Sequence, residues 1–309
     1  MRDGFRCSRR GFVSGAVGAV AGHALHGAER ARLPDGPLPV FGIVTDCHYA
    51  DRDVRGTRFY RDALPKLEAC VAEMNRQRVD FLIELGDFKD QGGTAEQTLG
   101  YLREIEAVYA RFRGARYHVL GNHDMDRISK AQFLGAVRNT GADPARGYYS
   151  FDCKGLHAVA LDANFRKDGS DYDAGNFDWT QAYVPEKELA WLEQDLARTR
   201  LPVIVFTHQL LDADEGSVYV RNAAQVRQVL EASRRVLAVF QGHHHPGSCR
   251  ELRGIHYYTL RGLIEGAGQE NNAFAVVRAA ADGGLDVRGH GKAVSRVLAG
   301  CGKAKGENG

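Results

Sequence analysis

The feature that most restricts the fold of this chain is the alternation of short apolar runs with longer stretches of helical periodicity. Residues 41–46 and 81–85 are apolar runs of the length of a buried strand. Between them, residues 59–75 place apolar side chains such as Leu67 and Val71 at steps of three or four residues, which is typical of a helix. The same patterns predict strands at residues 117–120, 148–151, 156–161, 203–207, 236–241, 256–260, 274–278 and 285–290, and helices at 95–112, 128–139, 185–199 and 222–232. We therefore expect one α/β domain of two packed sheets with helices outside them.

The composition excludes several other classes of protein. The chain has 309 residues, of which 44% are apolar and 26% are charged, so it can bury a sizeable core. Intrinsic disorder and a disulfide-stapled mini-protein are excluded. A net charge of +2 argues against a general nucleic-acid binder, which needs clustered Lys and Arg. The sequence has no apolar run long enough for a multi-span membrane protein.

The N-terminus resembles an export signal. Residues 8–13 read Ser-Arg-Arg-Gly-Phe-Val, and a stretch of small and apolar residues follows as far as about residue 24. We predict a twin-arginine-type signal peptide at residues 1–28, one folded domain at 38–292 and a C-terminal tail at 293–309. The expected location is periplasmic or extracellular, reached through the twin-arginine export machinery, with no stable membrane insertion after processing. An unstructured basic N-terminus and a permanent N-terminal anchor are the alternatives.

The cysteines do not form an evident disulfide framework. Five of the six would remain after removal of the leader, and they show no CxxC spacing. Cys47 and Cys70 lie in apolar-patterned elements and are predicted to be core residues.

Polar residues directly follow five of the apolar runs. The segments are Asp46-Cys47-His48, Gly86-Asp87, Gly121-Asn122-His123-Asp124, Thr207-His208 and Gly242-His243-His244-His245. On an extended chain, residues i and i+2 point to the same side. Asp46 with His48, and His243 with His245, would thus each present two side chains to one cleft.

These side chains have the chemistry of a metal site. The strong candidate ligands are Asp46, His48, Asp87, Asn122, His208, His243 and His245. Carboxylate, amide oxygen and imidazole together favour Mn, Fe or Zn over Ca or Mg. Seven ligands are too many for one tetrahedral metal, but they fit two divalent or trivalent ions that share a bridging carboxylate.

Taken singly, several of these residues could have a purely structural role. Asp46 and Asp87 could form helix caps or turns, because Asp favours both. Asp124 could cap the following turn, and His244 is expected to be a spacer. The isolated histidines are expected to be core or surface residues: His118, His157, His256 and His290. A structural role would have to hold for all seven candidate ligands at once to remove the metal site.

The ordered motifs resemble those of the calcineurin-like metallophosphoesterases. The family pattern D-x-H … G-D … G-N-H-[DE] … H … G-H-x-H is complete here, over roughly residues 40–290. The resemblance implies a four-layer α/β-β/α sandwich of two mixed sheets flanked by helices, with the metal site at the C-terminal ends of the strands. It also implies two ligand sets, one of Asp46, His48, Asp87 and His245, and one of Asp87 as the bridge, Asn122, His208 and His243. Lys89 and Asp90 differ from the commonest form of the second motif, and the sequence assigns them no role.

The same resemblance implies a reaction. His123 would be the acid beside the scissile phosphate, oriented by Asp124 or another carboxylate. We expect a dinuclear-metal enzyme that hydrolyses a phosphodiester or pyrophosphate by in-line attack of a metal-bridging hydroxide. A broad phosphomonoesterase of the alkaline-phosphatase type is the alternative activity. A non-catalytic scaffold with this fold is the alternative of another class.

The substrate is expected to be small, phosphorylated and nucleotide-like, with no role for nucleic acid. The long loop at residues 162–184 carries Arg166, Phe177 and Trp179, which could pair with phosphate and stack on a base. A surface loop that covers a sheet edge is the alternative for this segment. The segment from Arg221 through the Gly-His-His-His motif resembles the branch that includes manganese-dependent ADP-ribose and CDP-alcohol diphosphatases. Hydrolysis of cyclic nucleotides or glycerophosphodiesters is a further alternative.

Overall fold

The computed structural model describes residues 32–300. The predicted signal peptide and the last nine residues of the predicted tail lie outside this range. Within it, the strands are β1 (Val40–Val44), β2 (Phe81–Glu84), β3 (Ala115–His118), β4 (Tyr149–Cys153), β5 (Leu156–Ala160), β6 (Val203–Thr207), β7 (Val236–Gln241), β8 (Ser248–Leu252), β9 (Ile255–Thr259), β10 (Ala273–Ala279), β11 (Leu285–Gly291) and β12 (Arg296–Leu298). The α-helices are α1 (Ala63–Gln77), α2 (Ala95–Tyr109), α3 (Lys130–Ala136), α4 (Glu186–Arg198) and α5 (Ala223–Ser233). Short 3₁₀ helices occupy Tyr60–Asp62, Asn122–Met125, Trp179–Gln181 and Gln269–Asn271.

The strands form two mixed six-stranded sheets. The first sheet has the order β12-β11-β10-β1-β2-β3, in which β1, β2 and β3 are parallel and β10–β12 are antiparallel additions. The second has the order β4-β5-β6-β7-β9-β8, with parallel pairing from β5 through β9 and antiparallel strands at both edges. Parallel strands need crossover connections, and α1, α2, α4 and α5 provide several of them.

The core lies between the sheets and on their outer faces. Along β1, Phe41 and Ile43 point into the layer between the sheets, whereas Val44 packs with the helices of the first sheet. The Phe41 ring stacks on Phe81 at 4.8 Å and meets Phe206 of the other sheet edge-on at 5.8 Å. Helices α1–α3 cover the outside of the first sheet, and α4 and α5 cover the outside of the second. This arrangement confirms the four-layer α/β sandwich.

Local sequence explains why α1 and α2 begin, end and pack as they do. Thr94 accepts a hydrogen bond from the backbone N–H of Gln97, whose side chain accepts one from the backbone N–H of Thr94, so α2 starts with a capping box. Helix α1 ends at Gln77, and the next residue, Arg78, caps it with a left-handed φ of 52°. Gly42 on β1 lets α1 approach closely, because a Cβ there would lie 2.4 Å from Met74 Sδ. Cys47 and Cys70 are buried and unpaired, as expected of core cysteines.

The structure differs from the sequence-based prediction at weakly patterned elements. Helix α3 is seven residues long, where the sequence predicted twelve. Strand β8 was not predicted, because it is an edge strand whose residues are largely exposed and polar. The first sheet continues through β12, past the predicted domain end at residue 292. Among residues 32–300, no helix is both long and apolar enough to cross a bilayer.

Candidate metal centre

The predicted ligands converge because their strands end at one edge of the sandwich. Asp46 and His48 follow β1, and Asp87 follows β2, its parallel neighbour in the first sheet. His208 follows β6, and His243 and His245 follow β7, which pair in parallel in the second sheet. Parallel strands bring their carboxyl ends to the same edge, so the two sheets deliver side chains to one place. The structure thus groups six of the seven predicted ligands, and the seventh, Asn122, follows β3, the parallel neighbour of β2, at the same edge.

One group of ligand atoms is formed by Asp46, His48 and His245. The Nε2 atoms of His48 and His245 are 3.2 Å apart, and His245 Nε2 is 3.3 Å from Asp46 Oδ1. Asp46 Oδ2 accepts hydrogen bonds from the Thr45 hydroxyl and from the His243 backbone N–H. Asp46 Oδ1 is buried and has no hydrogen-bond partner in the described part of the chain. The remaining lone pairs of this oxygen therefore face the two imidazoles.

A second group is formed by Asp87, His208 and His243. His208 Nε2 lies 3.1 Å from His243 Nδ1 and 3.2 Å from Asp87 Oδ2. Asn122 is buried, and its Oδ1 atom has no hydrogen-bond partner within residues 32–300. An unpaired buried amide oxygen is costly unless it binds something, so Asn122 fits as a further ligand of this group.

The carboxylate of Asp87 lies between the two groups. Its Oδ2 atom is 3.5 Å from His48 Nε2 in the first group and 3.2 Å from His208 Nε2 in the second. Its Oδ1 atom accepts a hydrogen bond of 2.8 Å from the backbone N–H of His123, which fixes the orientation of the carboxylate. Asp87 is therefore placed to bridge two cations.

Hydrogen bonds to the far side of two imidazoles set the tautomers that a cation requires. His208 Nδ1 is 2.8 Å from the carbonyl oxygen of Leu85, and His245 Nδ1 is 2.5 Å from a carboxylate oxygen of Glu265. Because these oxygens only accept, each Nδ1 carries a proton, which leaves Nε2 as the ring atom that would face a cation. Such outer partners orient metal-binding histidines. The sequence prediction missed Glu265, which lies twenty residues from its partner.

The charges in the site also suit cation binding. Burial alone would raise the pKa of Asp46, but the adjacent His245 and His48 hold it well below its usual range. The pKa of Asp87 is likewise low despite burial, chiefly because of the charge of His208. Burial, together with nearby His208, lowers the pKa of His243 to about 3, which keeps its ring neutral. Against the effect of burial, Asp87 raises the pKa of His208 to about 10 and Asp46 raises that of His245 to about 9, so a bound cation would replace a proton on each of these rings.

The loops that carry the ligands adopt unusual backbone conformations. Asp46, His48, Asp87 and His243 all have left-handed φ values, between 46° and 62°. Such conformations cost about 1–3 kcal/mol each and cluster at functional sites. They are held by hydrogen bonds between neighbouring loops, including those from the backbone N–H of Asp46 and of His48. Gly86 has a φ of +97°, and a Cβ there would lie 2.6 Å from His208 Nδ1, which explains the glycine before Asp87.

His123 lies beside both groups, and its partner is Asp126. Its ring centroid is 4.7 Å from that of His48, and its Nδ1 is 2.7 Å from Asp126 Oδ2. Burial would lower the pKa of His123, but Asp87 and Asp126 raise it to about 9. The sequence offered Asp124 or another carboxylate for this contact, and the structure selects the other carboxylate. In a 3₁₀ turn, residues i and i+3 eclipse each other, which places Asp126 against His123.

Asp124 supports the backbone of the site instead. Its carboxylate accepts hydrogen bonds from the backbone N–H groups of Gly121, Asp87 and Phe88, at 2.8–3.1 Å. Lys89, for which the sequence gave no role, is fully buried and donates to the carbonyl oxygens of His123 and Asp126. Lys89 and Asp124 therefore fix the turn that carries Asn122 and His123.

The predicted substrate residues have different surroundings. The ring of Trp179 is 5.6 Å from that of His243 and is 43% exposed, so it borders the centre. Phe177 stacks on Tyr172 at 4.1 Å and packs against the core. Arg166 is exposed and lines a separate cavity of about 380 Å³ with Tyr172. Of these three residues, Trp179 alone contacts a predicted ligand within residues 32–300.

The histidines expected to lie elsewhere do so. His118 lies between Glu84 and Glu106, and His157 lies between Asp152 and Asp195. His256 contacts the carbonyl oxygen of Ala299, and His290 stacks on Phe274. His244 is half-buried and belongs to neither ligand group.

A two-sheet sandwich with paired ligand groups at its strand ends defines the class of dimetal phosphoesterases. The family model for calcineurin-like phosphoesterases matches residues 39–247, which is more than half of the chain. The chain therefore belongs to the calcineurin-like phosphoesterase family and is a metal-dependent hydrolase of phosphoric esters or anhydrides. The resemblance stated from the motifs is confirmed.

Individual relatives are distant but similar in extent. A manganese-dependent ADP-ribose/CDP-alcohol diphosphatase of Arabidopsis thaliana is 24% identical over 279 residues, covering 74% of this chain and 87% of that protein. The protein of the same name from Xenopus laevis is 22% identical over 343 residues, covering 90% and 95%. The crystal structure of a dimetal phosphatase from Danio rerio superposes with a TM-score of 0.74 at 23% identity, covering 85% of this chain and 99% of that one. The last comparison shows that the fold is shared.

Proposed function

We propose that this protein hydrolyses the pyrophosphate or phosphodiester bond of a small, nucleotide-like substrate. The observation that carries the proposal is the Asp87 carboxylate, which is shared between two complete groups of ligand atoms. The relatives align with most of the chain, and their names support a diphosphate substrate over a simple monoester. Trp179 offers an exposed ring beside His243 on which a base could stack.

Two metal ions would be held by Asp46, His48 and His245 on one side and by Asn122, His208 and His243 on the other, with Asp87 between them. When bound, such ions polarise the phosphoryl oxygens and lower the pKa of a bound water towards neutrality. The donors are carboxylate, amide and imidazole, with no thiolate among the groups in residues 32–300, and this set suits Mn, Fe or Zn. We propose manganese, because the relatives are named for it.

The remaining residues position the substrate and move a proton. The Nδ1 atom of His123 is bound to Asp126, so its Nε2 atom is the one available to the substrate. The ring stands beside His48, a predicted metal ligand, and so beside the place where the phosphate would bind. From there Nε2–H would be donated to the oxygen of the departing group. Lys89 and Asp124 hold the turn beneath His123, which keeps this proton donor in place.

A substrate panel tests the proposal directly. Purified protein is assayed with ADP-ribose, CDP-choline, bis-p-nitrophenyl phosphate, p-nitrophenyl phosphate and a cyclic nucleotide, each with Mn²⁺, Zn²⁺ or EDTA. We expect Mn²⁺-dependent cleavage of the two diphosphates with a higher kcat/KM than for the monoester. Preference for p-nitrophenyl phosphate would favour the phosphomonoesterase alternative. No cleavage of any compound, with no bound metal, would favour the scaffold.

We also propose that the protein is exported through the twin-arginine route. This proposal rests on the sequence of residues 8–24 alone. Residues 1–30 fused to a reporter that is active only after export should direct it out of the cytoplasm. The variant with Arg9→Lys and Arg10→Lys should fail to do so, and equal export of both fusions would contradict the proposal.

A further inference from the structure

A cavity of about 550 Å³ opens beside the metal centre at His245. Its wall includes Phe59, His245, Pro246, Arg261, Glu265 and Lys292. A volume of this size falls within the range of small-molecule sites. It lies on the His245 side of the centre, whereas Trp179 borders the His243 side. A substrate bound at the metals can therefore extend in two directions.

The charge of this cavity is not balanced by its own residues. Arg261 donates from Nε to the carbonyl oxygen of Pro246, which leaves the two terminal nitrogens of its guanidinium for a ligand. Lys292 is exposed, and no carboxylate pairs with it among the described residues. The one acidic side chain in the wall, Glu265, is bound to His245 Nδ1. Two cations thus face a space that adjoins a metal ligand.

The wall that carries Glu265 is rigid. Lys66 is fully buried and donates to the carbonyl oxygens of Leu263, Glu265 and Gly266, at 2.6–3.2 Å. The backbone N–H of Ile264 also donates to the carbonyl oxygen of Asp46. The backbone of this wall therefore needs little rearrangement when a ligand binds.

We propose that this cavity binds the second anionic group of the substrate, the phosphate that neighbours the one under attack. Arg261 and Lys292 would hold this group through charge-assisted hydrogen bonds, which are the strong ones for phosphate. Phe59, half-buried in the same wall, would pack against the part of the substrate beyond it. The inference rests on the proposed function, and it names the residues that distinguish a diphosphate from a single phosphate.

Binding measurements test the cavity independently of turnover. Mn²⁺-loaded protein is titrated calorimetrically with α,β-methylene-ADP, which carries two phosphorus groups, and with AMP, which carries one. We expect the first to bind at least about tenfold more tightly, because it gains a charge-assisted contact in the cavity. The double variant Arg261→Gln/Lys292→Gln should lose this difference. Arg261→Lys, which keeps the charge, should retain most of it.

The matched control is Arg113→Gln. Arg113 is exposed and precedes β3, at the end of the sheet opposite the ligands, so its loss should leave both affinities unchanged. Metal content verifies that each variant keeps its centre. If the double variant keeps the preference, or if the native protein has none, the inference is wrong. If the preference depends on Arg261 and Lys292 but no diphosphate is cleaved in the substrate panel, the cavity is confirmed and the proposed function fails.

Discussion

Replacement of His123 by Ala tests whether proton donation and metal binding are carried out by different residues of this site. The substitution removes only the ring. The backbone N–H of His123 still donates to Asp87 Oδ1, and its carbonyl oxygen still accepts from Lys89 Nζ. The two ligand groups, Asp46 with His48 and His245 and Asp87 with His208 and His243, contain no His123 atom; His123 forms a separate cluster with His48 and Asp90. The variant should therefore bind two metal ions per chain, as the native protein does.

The expected loss is in turnover. General-acid catalysis contributes roughly 10²–10⁴-fold, so kcat on a cyclic nucleotide, which releases a strongly basic alkoxide, should fall by about 10² or more, or ~2.7 kcal/mol of activation free energy. The loss should depend on the departing group. Bis-p-nitrophenyl phosphate releases a phenolate that needs little protonation, so its kcat should fall much less than that for a substrate with a basic leaving group.

The assay combines metal analysis with steady-state kinetics on both substrates at saturating Mn²⁺. His290→Ala is the control, because His290 lies on β11 and contacts Phe274 rather than a ligand. Two bound metals with an unchanged kcat would refute the role of His123. An equal loss on both substrates would refute proton donation and would leave only a positioning role.

Three further predictions concern the metals and the fold. Asp87→Asn removes the shared carboxylate, so metal analysis should find fewer than two ions per chain. His157 gains Asp152 and Asp195 as partners, which outweigh burial and raise its pKa above the unfolded value of about 6.5. The ion pairs of protonated His157 should stabilise the folded protein by about 1 kcal/mol below pH 6.5, and this contribution should vanish as the pH rises through the folded pKa. Urea titrations at several pH values should show this dependence in the native protein and not in His157→Gln. Phe41→Ala should lower the free energy of unfolding by about 3–5 kcal/mol, measured by the same titrations, because its ring joins both sheets.

Side chains at strand ends were accessible to sequence reasoning for a simple physical reason. Asp46 and His48 directly follow β1, and parallel strands share an edge, so the topology brings the motifs together. The extended geometry behind the i and i+2 rule is not found there, because both residues have left-handed φ values. The partner of His123 was not accessible in the same way. Choosing Asp126 over Asp124 requires knowing that a 3₁₀ turn forms there, and neighbouring residues give no apolar period for it.

Contacts between residues far apart in the sequence could not be predicted either. Glu265 reaches His245, and Lys66 holds the loop around Glu265 from a helix about two hundred positions earlier. Lys66 would be assigned to a solvated helix face by its residue type, yet it is fully buried. Strand β8 likewise depends on its neighbour β9 for its existence, since its own side chains are mostly exposed.

The ligand groups are divided between the two sheets. Asp46 and His48 come from the first sheet, and their partner His245 comes from the second; Asp87 and Asn122 from the first sheet meet His208 and His243 from the second. Neither sheet alone supplies a complete ligand group. Metal ions would therefore act as cross-links between the halves, and their binding energy would be added to the free energy that keeps the halves docked. Chelation should then lower the free energy of unfolding of the whole domain, because both sheets share one core.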